Sequence, residues 1–159
     1  MTEQADILIR VVSQPRYLAV IRAVVETAAA KMGLAEEVCG QVVLAVDEAM
    51  ANVIRHGYKG LPDRPIWLKI SPVSQDGHTG IQIIIEDECT GVDLDKIKGR
   101  RLEEVRPGGL GVHIITGVMD QVEYQSRPDG TGVRLKMVKF AAPPGTPGVP
   151  ESPAPTKKG

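Results

Sequence analysis

The hydrophobic period of this chain switches between two and about 3.6 residues several times, and that succession constrains the fold more than any single residue does. "DILIRVV" (6–12) alternates and is rich in β-branched residues, the pattern of a strand. "SQP" follows, with Ser13 or Gln14 as candidate N-cap and Pro15 suited to a first helical turn. Leu18, Ile21, Val25, Ala28 and Ala29 then recur at helical spacing, and Gly33 stands where such a helix would close. A second helix is predicted from near Glu36 to about His56, with Val38, Val42, Ala45, Ala49 and Val53 on its buried face and Gly57 at its end. Two strands follow, "PIWLKISPV" (65–73) and "GIQIIIED" (80–87), joined by a polar turn. The segment from Thr90 to Gly109 has charges and glycines without a sustained apolar period, so a long surface loop with one short helix is expected there. "LGVHIITGVMD" restores the helical period, with a start expected near Val112. "QVEYQSRPDGTGVRLKMVKF" reads as two strands around a hairpin turn. The order β-α-α-β-β-loop-α-β-β implies an α+β fold: a two-layer sandwich of one mixed, mostly antiparallel sheet with helices on a single face.

Six of the twelve prolines fall in residues 141–159, where Val149 is the largest apolar side chain. A segment like that cannot offset its ordering entropy by burial. Residues 1–140 are therefore expected to be the folded domain and 141–159 a disordered tail.

Inside the second helix, Glu48, Asn52 and His56 are four residues apart. At 100° per residue each step of four advances by only about 40°, so the three form a nearly straight row beside the apolar stripe, with Asp47 turned toward solvent. Taken singly they have plain structural readings: a carboxylate and an amide at the core boundary, and a histidine suited to the dipole at a helix end. Further along, Asp87 closes the apolar run "IIIED" and is followed by Gly91 and Asp93. "RPGGLG", Arg106 to Gly111, then leads into a helix, an arrangement whose free backbone N–H groups and dipole suit a phosphate. An aspartate at a strand end is by default a turn former, and a lone G-G-x-G can be a tight loop. The combination is what points to a ligand.

Charge narrows the classes. Lys and Arg total 19 against 20 for Asp and Glu, a formal net charge of −1, so the basic footprint of a direct nucleic-acid binder is missing. No apolar run approaches the roughly 18 residues of a membrane span, and no signal-peptide pattern opens the chain, so a cytoplasmic protein without membrane contact is expected. Cys39, Cys89 and the three histidines lie too scattered for a disulfide framework or a zinc site.

Taken together, E-x-x-x-N-x-x-x-H-G-Y, then D-x-x-x-G-x-D after a buried strand, then G-G-x-G at a helix start, resemble the Bergerat-fold (GHKL) ATP-binding domains. More narrowly the chain is similar to the bacterial anti-sigma-factor serine/threonine kinases, in order and over nearly all of the body. The resemblance implies ATP and Mg²⁺ as cofactors. It implies Glu48 as general base, Asn52 as magnesium ligand, Asp87 as reader of the adenine amine, and His56, Gly91, Arg106, Gly108, Gly109 and Gly111 at the nucleotide, with Arg106 a candidate for the γ-phosphate. The segment "DKIKGRRLEEVR" would be a lid over ATP. Cys89 stands where the motif D-x-G-x-G has its first glycine. The implied partners are a sigma factor, an anti-anti-sigma factor of the STAS type as phosphorylation substrate, and a second copy in a homodimer. A non-catalytic, nucleotide-loaded module that sequesters a partner is the alternative. The catalytic half of a histidine kinase fits less well, given the H-G-Y ending and the lack of a phosphoacceptor-like hairpin before Asp6.

Overall fold

The structure is a computed structural model that describes residues 4–98 and 110–142. Five strands, β1 (Ile7–Val12), β2 (Pro65–Gln75), β3 (His78–Asp87), β4 (Gln121–Ser126) and β5 (Val133–Phe140), form one sheet in the order β1-β2-β3-β5-β4. All four pairings are antiparallel, where the sequence left room for a mixed sheet. The helices are α1 (Leu18–Lys31), α2 (Glu36–Asn52), the short α3 (Leu94–Lys98) and α4 (Leu110–Val118). The two-layer α+β arrangement expected from the sequence is present.

Alternation decides which face of the sheet the helices cover. Ile66, Leu68 and Ile70 of β2, Ile81, Ile83 and Ile85 of β3, and Met137 of β5 are at most 2% exposed. They form one cluster with Ile21 and Val25 of α1, Val42, Ala45, Val46 and Ala49 of α2, and Ile115 of α4. Each such aliphatic side chain contributes roughly 1.5–3 kcal/mol on burial, so this layer dominates the stability. On the other face Ile84 is buried too, flanked in register by Lys69 and Lys136. Glu86 beside it pairs with Lys69 at 3.0 Å and Arg134 at 3.6 Å. That explains why "IIIED" reads as a continuous run: β3 is central and shielded on both sides.

Local chemistry fixes the turns. Gly33 has φ +87, and Gly33 N and Leu34 N donate to the carbonyls of Ala30 and Ala29, the paired bonds of a Schellman closure. Asp76 and Gly77, both with positive φ, join β2 to β3 as a two-residue hairpin, tighter than the polar turn read from sequence.

Three expectations need correcting. Ser13 does not cap a helix: its hydroxyl donates to the Leu61 carbonyl and accepts from Arg64 N, pinning the loop before β2. Gln14 holds the cap position of a short 3₁₀ turn, Pro15–Tyr17, without a side-chain bond. Asp47 does not simply face solvent, because it meets Arg22 of α1 at 2.7 Å. The second helix does not run to His56 as α-helix either. It ends at Asn52 and continues as a π turn, Val53–Gly57, closed by Tyr58 N on the Val53 carbonyl at 2.8 Å. Among the described residues no helix is long and apolar enough to cross a membrane.

Gly80 of β3 is pressed against the backbone of β5: a methyl there would overlap the Lys139 carbonyl and lie 2.7 Å from Phe140 Cα. Gly80→Ala should therefore lower unfolding stability in urea by about 1–3 kcal/mol. Unchanged stability would mean the two strands are not so closely apposed.

Candidate functional site

A cleft of about 430 Å³ opens between the end of α2, the end of β3 and the segment that follows it. Its floor is apolar, with Ala49, Ile85 and Leu135, and Val112 and Tyr124 close its sides. This is the shape expected of a small-molecule site: a hydrophobic slot with few polar groups. Asn52, His56, Asp87 and Gly91 all line it. Four sequence-derived candidates from two separate stretches of chain thus meet in one cavity.

Glu48 and Gly111 belong to the same neighbourhood but not to the cleft wall itself. Gly111 opens α4, and a methyl on it would lie 3.0 Å from Glu48 Oε2 and 2.9 Å from Asn52 Nδ2. The glycine thus lets the start of α4 rest on the carboxylate and amide of α2. Arg106, Gly108 and Gly109 lie outside the described residues, as do most of the expected lid and residues 143–159 of the expected tail.

The π turn is what brings His56 and Gly57 round to the cleft. An extra residue in a helical turn widens it, and such turns recur at functional sites. Gly57 also makes room for Cys89, whose Sγ would overlap any side chain there. Cys89 is buried, and burial, reinforced by the charge of Asp87, pushes its thiol well above the ordinary range. It is an inert wall of the cleft.

Asp87 is the most constrained polar group. It is 5% exposed, and its Oδ1 accepts from Cys89 N at 2.8 Å and Val133 N at 3.2 Å. Gly132 abuts the Asp87 carbonyl so closely that no side chain fits, and its φ of +97 suits glycine. Burial raises the Asp87 pKa above the usual carboxylate value, opposed by the N–H bonds and thiol of Cys89, the N–H of Val133 and the charge of Arg127. A carboxyl group so oriented, in an apolar slot, suits recognition of a planar hydrogen-bonding ligand.

Comparison with known proteins identifies the family of this fold. Residues 11–137 match the model of the histidine kinase-like ATPase domain. The chain belongs to that family. Its relatives include proteins named serine-protein kinase RsbW. The one from Bacillus subtilis (strain 168) is 26% identical over 149 residues, 88% of this chain and 89% of the relative. That of Oceanobacillus iheyensis is 30% identical over 150 residues, 89% and 90%, and that of Listeria innocua serovar 6a is 27% identical over 147 residues, 87% and 89%. The resemblance read from the motifs is thereby confirmed at the level of the family and its ATPase fold.

Sequence reasoning passed over parts of this ATPase-domain cleft. Lys96 and Ile97 of α3 line it; the sequence placed them within the expected lid but gave no sign of which of its residues would face inward. Tyr124 and Val133 line it from β4 and β5, where the sequence showed only two strands around a hairpin turn.

The Asp87 shift has a definite consequence. A carboxyl group whose folded pKa exceeds its unfolded value, about 3.9, favours the fold when protonated. Its contribution is complete below the unfolded value and is lost as pH rises through the raised one. Asp87→Asn keeps an acceptor oxygen for both N–H groups but cannot ionise. The variant should melt at or above wild type at pH 7, with a smaller drop in melting temperature between pH 4 and pH 7. A larger drop than wild type would contradict the assigned direction.

Proposed function

We propose that the cleft binds Mg-ATP and that the protein is a serine/threonine kinase acting on another protein. The observation carrying this reading is the approach of Glu48 and Asn52 to the first turn of α4, beside a cleft holding a buried, oriented Asp87. In this reading Asp87 accepts a hydrogen bond from the adenine amino group, and Ile85, Leu135 and Val112 pack on the base. Gly91, His56 and Lys96 face the sugar and phosphates. The backbone at the start of α4 faces polyphosphate, where N–H groups and the helix dipole favour negative charge.

The residues also suit a magnesium ion. Among the described residues no group of three His, Cys, Asp or Glu side chains gathers to hold a metal alone. That fits an ion that prefers water, phosphate oxygens and one or two protein ligands, for which Asn52 Oδ1 is the candidate. When bound, magnesium neutralises charge across the transferring phosphates.

Glu48 lies one helical turn before Asn52, so its carboxylate would face an incoming hydroxyl near the γ-phosphate. It takes the proton of a serine or threonine as that oxygen bonds to phosphorus and the bond to the β-phosphate oxygen breaks, releasing ADP. The resemblance supplies the partners: a STAS-type anti-anti-sigma factor as phosphate acceptor, a sigma factor held until the exchange, and a homodimer, in the cytoplasm. The relatives named as serine-protein kinases support the chemical step.

Glu48→Ala should keep ATP affinity within about threefold while losing transfer of label from ATP to a STAS acceptor by about 10²–10⁴-fold. Equal transfer by variant and wild type would remove Glu48 from the mechanism. Wild-type protein that holds nucleotide and acceptor in a stable complex without transferring label would favour a non-catalytic sequestering module.

A further inference from the structure

Tyr58 directly follows the π turn and is 6% exposed. Its hydroxyl donates to the Pro65 carbonyl at 2.6 Å and accepts from Glu88 N at 2.7 Å. Pro65 is the first residue of β2, and Glu88 comes just after β3, where Asp87 pairs with Ile66. One phenol thus fastens two strand ends at the point where Asp87 leaves the sheet. It joins them to the turn whose His56 and Gly57 form the opposite wall of the cleft.

The rest of the Asp87 surroundings is held from the other side. Cys89 N and Val133 N grip its Oδ1, and Gly132 lies against its carbonyl. The next peptide N–H, that of Glu88, goes to Tyr58 alone among the bonds described. Removing the phenol oxygen leaves that donor without its protein partner and frees the peptide to turn. The peptide that turns is the one carrying Asp87.

We propose that Tyr58 is a positioning residue for base recognition, its hydroxyl fixing where Asp87 presents its carboxylate to the nucleotide. The inference rests on the proposed reading of Asp87 as acceptor for the adenine amine. The hydroxyl is suited to the task because burial raises its pKa to about 12. It therefore remains both donor and acceptor over the range in which proteins work. The ring fills the same space in phenylalanine, so packing and positioning can be separated.

The test compares wild type and Tyr58→Phe for binding of ATP and of inosine triphosphate, which has an oxygen in place of the 6-amino group. Calorimetry gives the affinities and thermal melting verifies the fold. Tyr58→Phe should bind ATP about tenfold more weakly, the loss expected for one misaligned hydrogen bond to a charged acceptor, and inosine triphosphate within about twofold of wild type. The preference for adenine then contracts about tenfold. Parallel weakening of both nucleotides, or no change in either, overturns the positioning role and leaves the reading of Asp87 standing. A wild type with no preference for ATP over inosine triphosphate overturns the reading of Asp87, and this inference with it. If Tyr58→Phe does not fold, amide exchange at Glu88 in the wild type decides: protection supports the bond to Tyr58, and exchange at the rate of an open loop overturns it.

Discussion

A carboxylate buried at the end of an apolar strand is the constraint around which this molecule is arranged. Leaving Asp87 without partners in a slot of isoleucine, leucine and valine would cost several kcal/mol. The chain answers with backbone donors: Cys89 N and Val133 N converge on one oxygen. That requires the residues after β3 to fold back on themselves and β5 to begin close by, which the antiparallel pairing of β3 and β5 provides. Burial still outweighs these donors and raises the carboxyl pKa. Hydrophobic packing alone would favour an aliphatic residue here, so the position trades stability for a hydrogen-bonding edge inside the cleft.

Opposite that edge stands the end of α2, and its geometry follows from how the helix stops. The apolar stripe from Val42 through Ala49 ties the helix to the sheet and fixes its rotation. Asn52 is the last α-helical residue, so it shares the rigid register of Glu48. The π turn then lets the chain swing toward Cys89 without breaking its backbone bonding. A helix end in fixed register and a hydrogen-bonded turn thus hold the polar groups along one side of the cleft.

Much of this was legible in the sequence, and for physical reasons. Period-two and period-3.6 patterns report burial directly, so β3, α2 and the "RPDGTG" hairpin were readable from local residues. Spacing of four on α2 placed Glu48 and Asn52 together, and glycine at 111 is tolerated where Glu48 and Asn52 crowd any side chain. What escaped was non-local. Ser13 resembles a helix cap until Leu61 and Arg64 are seen beside it, Asp47 meets Arg22 only because α1 packs on α2, and Tyr58 gains its role from partners 7 and 30 residues away. The π turn leaves no mark in the hydrophobic pattern. Family membership, carried by several motifs in fixed order, was readable because each motif needs its own residue type for its own contact.

In the proposed reading α2, the end of β3 and the start of α4 surround a single magnesium-dependent nucleotide site. The most direct measurement is a calorimetric titration of the protein with ATP, run once with Mg²⁺ and once with a chelator in its place. Binding of one ATP per chain, tighter with Mg²⁺ than without, is the expected result. No detectable heat up to millimolar nucleotide, or an affinity indifferent to the metal, would contradict it.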